Sequence, residues 1–167
     1  MRKFARSLYL RNFDFGVEDS LVSTVGVLSG VAVSGLASAT VLLIGTIYIA
    51  VEAFSMAVGS FLSEESVEEY STRREVSDRL PLAGALVMFF SYFGAGLIPI
   101  VPYAFFERVP ALLVSVLGSL LALLLLGYVN GRISGVRPAA RALRMAAFGG
   151  FAIVVGVLVG QVATGLQ

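Results

Sequence analysis

Hydrophobic positions in this chain come in long blocks rather than in alternation. Apolar runs cover residues 18–36, 38–61, 82–105, 110–130 and 145–165. Each block is close to the roughly 20 residues that a helix needs to cross a hydrocarbon core. The pattern therefore predicts an all-α integral membrane protein with five transmembrane helices. The first two blocks are separated only by "GLASA", which predicts a tight helical hairpin. "FFERVP" divides the third block from the fourth, and Pro110 suits a helix start.

Residues 1–17 follow a different pattern. Phe4, Leu8, Tyr9 and Phe13 are interleaved with Arg2, Lys3, Arg6 and Arg11, as in a short amphipathic helix lying on a membrane surface. No apolar stretch of signal-peptide type follows directly. The organisation read from the pattern is an amphipathic segment at 1–17 and a five-helix membrane domain at 18–167. Within that domain, residues 62–81 form a short acidic linker that continues the second helix beyond the membrane.

The positive charges assign an orientation. Arg2, Lys3, Arg6 and Arg11 precede the first span. Arg73, Arg74 and Arg79 lie between the second and third spans, and Arg132, Arg137, Arg141 and Arg144 between the fourth and fifth. Only Arg108 falls on the other side. The positive-inside rule then predicts a cytoplasmic N-terminus and an external C-terminus.

Composition narrows the chemistry. The chain is 57% hydrophobic and 14% charged, against about a quarter charged for a soluble domain. It has no Cys and no His, which excludes disulfides, thiolate and imidazole ligands, and catalysis by either residue. A net charge of +1 gives no argument for nucleic acid as a partner. No nucleophile–base pair or cofactor motif points to an enzyme, and no permanent cofactor is expected.

Small residues recur at close-packing spacing. Gly26, Gly30 and Ser34 form one row, and Gly127/Gly131 and Gly156/Gly160 repeat the step. Such rows let helix backbones approach closely in lipid. The first-span row is the expected seam of a dimer.

Inside the apolar blocks ionisable groups are scarce, and a charge at mid-membrane costs about 2.5–3.5 kcal/mol on insertion scales. Asp19 heads the first span and shares a helix face with Ser23, Gly26 and Gly30. Glu52 lies inside the second span, with Met56 at i+4 on its face and Ser60 and Glu64 continuing the stripe. Counting inward from the cytoplasmic ends at about 1.5 Å per residue puts Asp19 near the entrance, Met56 about 7–8 Å deep and Glu52 about 13–14 Å deep. Asp19 also suits a plain helix N-cap; Met56 alone suits core filling; Glu52 protonated and bonded to Tyr48 or Ser55 is the bland alternative. Together, two carboxylates and a thioether favour a divalent transition metal, because a thioether adds little for Mg²⁺ or Ca²⁺. A carboxylate that takes up a proton when metal leaves would couple the two movements.

"SEESVEEYSTRREVSDRLP" follows the second span with no helix breaker before Pro81. Glu64/Glu68 and Glu65/Glu69 are i,i+4 pairs of like charge, which repel unless neutralised. A solvated helix face offset by Arg73 and Arg74 is the plain reading. The run's position above the buried carboxylates makes Glu64, Glu65, Glu68 and Glu69 a candidate metal-gathering mouth on the cytoplasmic side.

At these residues the chain resembles a known family. "FGVEDSLVSTVGVLSGVAVSG" and "VEAFSMAVGSFLSEESVEE" are similar to the first two helices of the vacuolar iron transporter family. "PLAGALVMFFSYFGAGLIPIVPY" is similar to its third, with Pro99 and Pro102 in a proline-containing end. The resemblance implies a homodimer with the metal pathway between subunits, lined by the first helices. It implies export of cytosolic Fe²⁺, with Mn²⁺ as an alternative, in exchange for protons, and places Asp19, Glu52 and Met56 at the translocation site. Two positions depart from the family pattern: Ser20 replaces the usual Gly, and Ser60 the usual Glu. The linker of about 20 residues is also too short to hold the family's large cytoplasmic metal-binding domain.

The function expected is a multi-pass divalent-metal/proton antiporter. Its partners are the lipid bilayer and a second copy of the chain. Its location is the plasma membrane of a prokaryote or the membrane of a vacuole-like organelle. The alternative from another class is a transport-inactive membrane sensor or scaffold.

Overall fold

The computed structural model describes residues 2–73 and 77–165, with side chains from residue 6 onward. The side chains of Arg2, Lys3 and Phe4, and the whole of Arg74, lie outside the described residues. The elements are α1 (Arg2–Val33), α2 (Ser38–Thr72), α3 (Arg79–Ile100), α4 (Pro102–Phe105), α5 (Arg108–Ile133) and α6 (Pro138–Gly165). All but α4 are long and apolar enough to cross a membrane, giving five candidate spans among the described residues.

The first two helices exceed what crossing requires. α1 has 32 residues and α2 has 35, about 48 and 52 Å at 1.5 Å per residue, against a hydrocarbon core of about 30 Å. Because the turn at 34–37 joins them, both project at the same end. The stretch read as a separate surface helix at 1–17 is continuous with the first span. Its apolar positions explain this: Leu8 is buried against α3 beside Gly84, and Gly16 is pressed against Met88 and Ser91. α2 runs on through the acidic stretch, as its pattern predicts, and stops where Arg73 takes a left-handed conformation at φ 55°.

The hairpin sets a register between α1 and α2. Leu28 lies against Gly45 near the turn. Further along, Asn12 accepts a hydrogen bond from Ser60 at 3.0 Å, and Arg11 pairs with Glu64. The contacts along the hairpin thus change from apolar to hydrogen-bonded to ionic as it leaves the hydrocarbon zone.

α1 is the central element and packs against all four of the other long helices, most extensively α3 and α6. The α1–α6 contact joins two of the small-residue rows. A Cβ on Gly156 would overlap the Gly26 carbonyl, one on Gly160 would overlap that of Gly30, and one on Gly26 would sit 3.0 Å from the Ala152 carbonyl. Only glycine allows backbones this close. The third row, Gly127 and Gly131, faces Ala142 and Pro138 across the α5–α6 turn. The first-span row expected at a dimer seam thus packs on the chain's own α6, while Gly26, Gly30 and Ser34 also line an open groove beside that contact.

Two core clusters hold the bundle. Leu28, Ile49, Ile100 and Tyr103 fill the hairpin end, and Leu21, Ala95, Leu123 and Met145 fill the middle. The outer faces are apolar as well, as Leu43, Ile47, Val51 and Phe54 of α2 show, which suits a lipid surround. Pro99 sits within α3, and the chain passes through Val101 into α4, which opens on Pro102. Each proline deletes one backbone N–H donor, so α3 and α4 form separate helices rather than one.

Candidate functional site

Asp19 and Glu52 face each other across the α1–α2 hairpin. Asp19 is 14 residues from the end of α1 at Val33, and Glu52 is 14 residues from the start of α2 at Ser38. Both therefore lie about 21 Å from the turn at 1.5 Å per residue. They are half-buried and within electrostatic reach of each other. The depth order read from the pattern thus changes. Asp19 is level with Glu52, and Met56 lies about 6 Å nearer the projecting end. The difference arises because α1 starts far earlier than residue 18, so that counting from residue 18 underestimates how far Asp19 is from the projecting end.

The pair separates two grooves. Helix periodicity places Phe15 one turn before Asp19 and Ser23 one turn after it; Met56 and Tyr48 flank Glu52 in the same way. Phe15 and Met56 line a groove of about 700 Å³ toward the projecting end, together with Asn12, Ser55, Ser60 and Met88. Ser23, Ser34 and Tyr48 line a second groove of about 700 Å³ toward the turn, whose walls are otherwise apolar residues of α1 and α6 such as Val27, Val31 and Val155. The first groove carries two thioethers, an amide and hydroxyls, and at its outer edge the Arg11 guanidinium that pairs with Glu64. Met88 is buried on α3. Nothing in "LVMFF" marks that methionine in the sequence as reaching the same groove as Met56.

A hydroxyl cluster stands beside the carboxylates. Ser23 and Tyr92 share a hydrogen bond at 2.9 Å, and Ser20 donates to the Tyr92 carbonyl at 2.6 Å. Tyr92 is fully buried and within reach of Tyr48 and Asp19. Both departures from the family pattern are thus bonded: Ser20 ties α1 to α3, and Ser60 ties α2 to Asn12.

The acidic run divides. Glu64 is nearly buried and paired with Arg11, so it is neutralised from within the chain. Glu65 and Glu68 are half-buried, and Glu69 is exposed. Among the described residues no three acidic side chains converge on a point where a metal ion would sit. A second charged cluster escaped the sequence reading: Asp14 lies beside Asn130 and Arg141, and Glu18 lies within reach of Arg141 and Arg144. The i,i+4 step from Asp14 to Glu18 was the available signal, together with the i,i+3 step from Arg141 to Arg144 on the helix that packs against it.

Known proteins resemble this chain in sequence. A stretch of 72 residues, 42% of the chain, is 40% identical to vacuolar iron transporter 1 of Oryza sativa subsp. japonica. The match covers 29% of that relative's length. The family profile described as the VIT family matches residues 10–80 and 65–161, and so takes in α1 through most of α6. By this coverage, the chain belongs to the VIT family.

Proposed function

We propose that this protein carries a divalent transition metal, Fe²⁺ or Mn²⁺, out of the cytosol in exchange for protons. The observation that carries the proposal is the level pair Asp19 and Glu52 between two grooves, with Met56 and Met88 on one side only. Carboxylates attract any divalent cation, whereas two thioethers favour the softer ones. Without Cys or His, binding is weak enough to allow release. An ionised carboxylate is costly in a low-dielectric surround, so protonation restores neutrality when the metal departs. Membership of the VIT family and the resemblance to a protein named as an iron transporter support the same cargo.

In this reading the projecting end is cytoplasmic, as the arginines on that side imply. Metal enters the thioether groove past Glu65, Glu68 and Glu69, with Glu64 restrained by Arg11. It passes Asp19 and Glu52 and leaves along the second groove. A second copy of the chain covers that groove, seated on the face of α1 beside the glycine row. The pathway then runs between subunits.

The test is transport by purified protein in liposomes. Fe²⁺ and Mn²⁺ flux is followed with internal pH under an imposed proton gradient. Metal movement opposed by proton movement supports the antiporter. A folded protein that moves neither metal overturns it and favours the sensor or scaffold.

A further inference from the structure

We propose that Arg11 is a built-in competitor for the metal: its guanidinium holds Glu64 and the outer edge of the thioether groove until an incoming divalent cation displaces it. The inference rests on the reading of that groove as the metal entrance, and it adds a positive charge to a route otherwise lined by metal donors.

Arg11 belongs to two spaces at once. It lines the groove with Phe15, Met56 and Met88, and it also lines a cavity of about 60 Å³ with Ser7, Leu8 and Glu64. On both helices the wall continues outward by one turn, from Phe15 to Arg11 on α1 and from Ser60 to Glu64 on α2. Metal moving in from the projecting end therefore passes the ion pair before it reaches Met56. The cavity exceeds the roughly 10–15 Å³ that holds a single water, so Glu64 faces a space that an ion can occupy.

The two partners are unequally held. Glu64 is 7% exposed, whereas the Arg11 side chain is 62% exposed. Arg11 can swing into water at little cost, but Glu64 stays covered and needs a cation beside it. Arginine remains charged at any working pH, so its charge leaves the groove only when the side chain moves. Until then it opposes the entry of another cation. The pair is not needed to set the hairpin, whose register is already fixed by the Ser60–Asn12 hydrogen bond and the Leu28–Gly45 contact. A pair with so exposed a partner also adds little stability. Passing Glu64 from guanidinium to metal gives it a use. A divalent ion replaces one positive charge by two, so the exchange favours it over a monovalent ion, which replaces like with like. Other arginines at this end have different partners: Arg73 stacks on Tyr70 and Arg132 on Tyr128.

The experiment uses the full chain in liposomes, with metal and reagent added from the same side. Because the chain has no Cys, Arg11→Cys carries a single thiol whose charge can be set afterwards in one folded sample. Initial Fe²⁺ and Mn²⁺ flux is measured against concentration for wild type, for Arg11→Cys, and for Arg11→Cys labelled with a thiol reagent bearing either an ammonium or a sulfonate group. Arg73→Cys treated in the same way is the control. The expected result is a KM at least about three-fold lower in Arg11→Cys than in wild type, with kcat within about two-fold. The ammonium label should return KM to the wild-type range and the sulfonate label should leave it low, while Arg73→Cys stays near wild type throughout. An unchanged or raised KM in Arg11→Cys, an equal drop in Arg73→Cys, or the same KM after either label overturns the proposal and leaves the transport reading intact. A wild type that moves neither metal overturns both. Should Arg11→Cys fold poorly, Glu64→Gln decides: it removes the carboxylate and leaves the guanidinium in place, so KM must rise at least about three-fold, and no rise overturns the proposal.

Discussion

At the residue scale, the pairing of carboxylates with thioethers makes the sharpest demand on chemistry. Met56 and Met88 line one groove, and Leu matches Met closely in volume. The double change Met56→Leu/Met88→Leu is therefore expected to cost less than about 1.5 kcal/mol per site. It should nevertheless erode the preference for Fe²⁺ over Mg²⁺ and Ca²⁺ by several-fold, because only the soft donors are lost. Flux measured in the presence of competing Mg²⁺ or Ca²⁺ checks this, and an unchanged preference would mean that the sulfurs only fill space. Asp19, Glu52 and Met56 stand out as candidates in the sequence because charged and soft groups are conspicuous in apolar blocks. Met88 and Tyr92 do not, since their place beside this site depends on which face of α3 meets α1 and α2.

At the element scale, the account rests on how α1 meets its neighbours. Gly156 presses on the Gly26 carbonyl, whereas a Cβ on Gly94 meets nothing within 4 Å. Gly156→Leu should destabilise the bundle by about 1–3 kcal/mol or more through overpacking, and Gly94→Ala should stay within about 0.5 kcal/mol of wild type. Thermal unfolding in detergent separates the two. The Arg11–Glu64 pair gives an asymmetric expectation. Arg11 is 62% exposed and Glu64 9%, so the pair itself contributes about 1 kcal/mol or less. Arg11→Ala strands a covered carboxylate and should cost more than Glu64→Gln, and adding Glu64→Gln to Arg11→Ala should recover part of the loss. The three glycine rows were evident from their spacing, but their partners were not, because spacing marks a surface that allows close approach without naming what approaches.

At the scale of the whole molecule, five blocks of apolar residues were enough to read an all-α membrane bundle, since length and hydropathy alone decide what can cross. The segment 1–17 is continuous with the first span. Its interleaved arginines and aromatics suit a surface helix, yet Leu8 and Gly16 have partners on α3 that only the assembled bundle provides. The absence of native cysteines makes the proposed dimer directly testable. Val31→Cys, on the open groove, should form a disulfide-linked dimer in membranes under mild oxidation. Phe90→Cys, exposed on α3, should remain monomeric on the same gel. Equal crosslinking at both positions, or none at Val31, would place the contact elsewhere.

The central claim is that Glu52, level with Asp19, lies on a metal route. The most direct measurement is Fe²⁺ and Mn²⁺ flux with internal pH in liposomes carrying wild type or Glu52→Gln, after matching the two for thermal stability. The account predicts that Glu52→Gln folds, inserts and loses at least nine-tenths of metal flux (a ten-fold change corresponds to about 1.4 kcal/mol in the barrier), with the opposing proton movement lost in step. A stable Glu52→Gln protein that transports metal at the wild-type rate would contradict it.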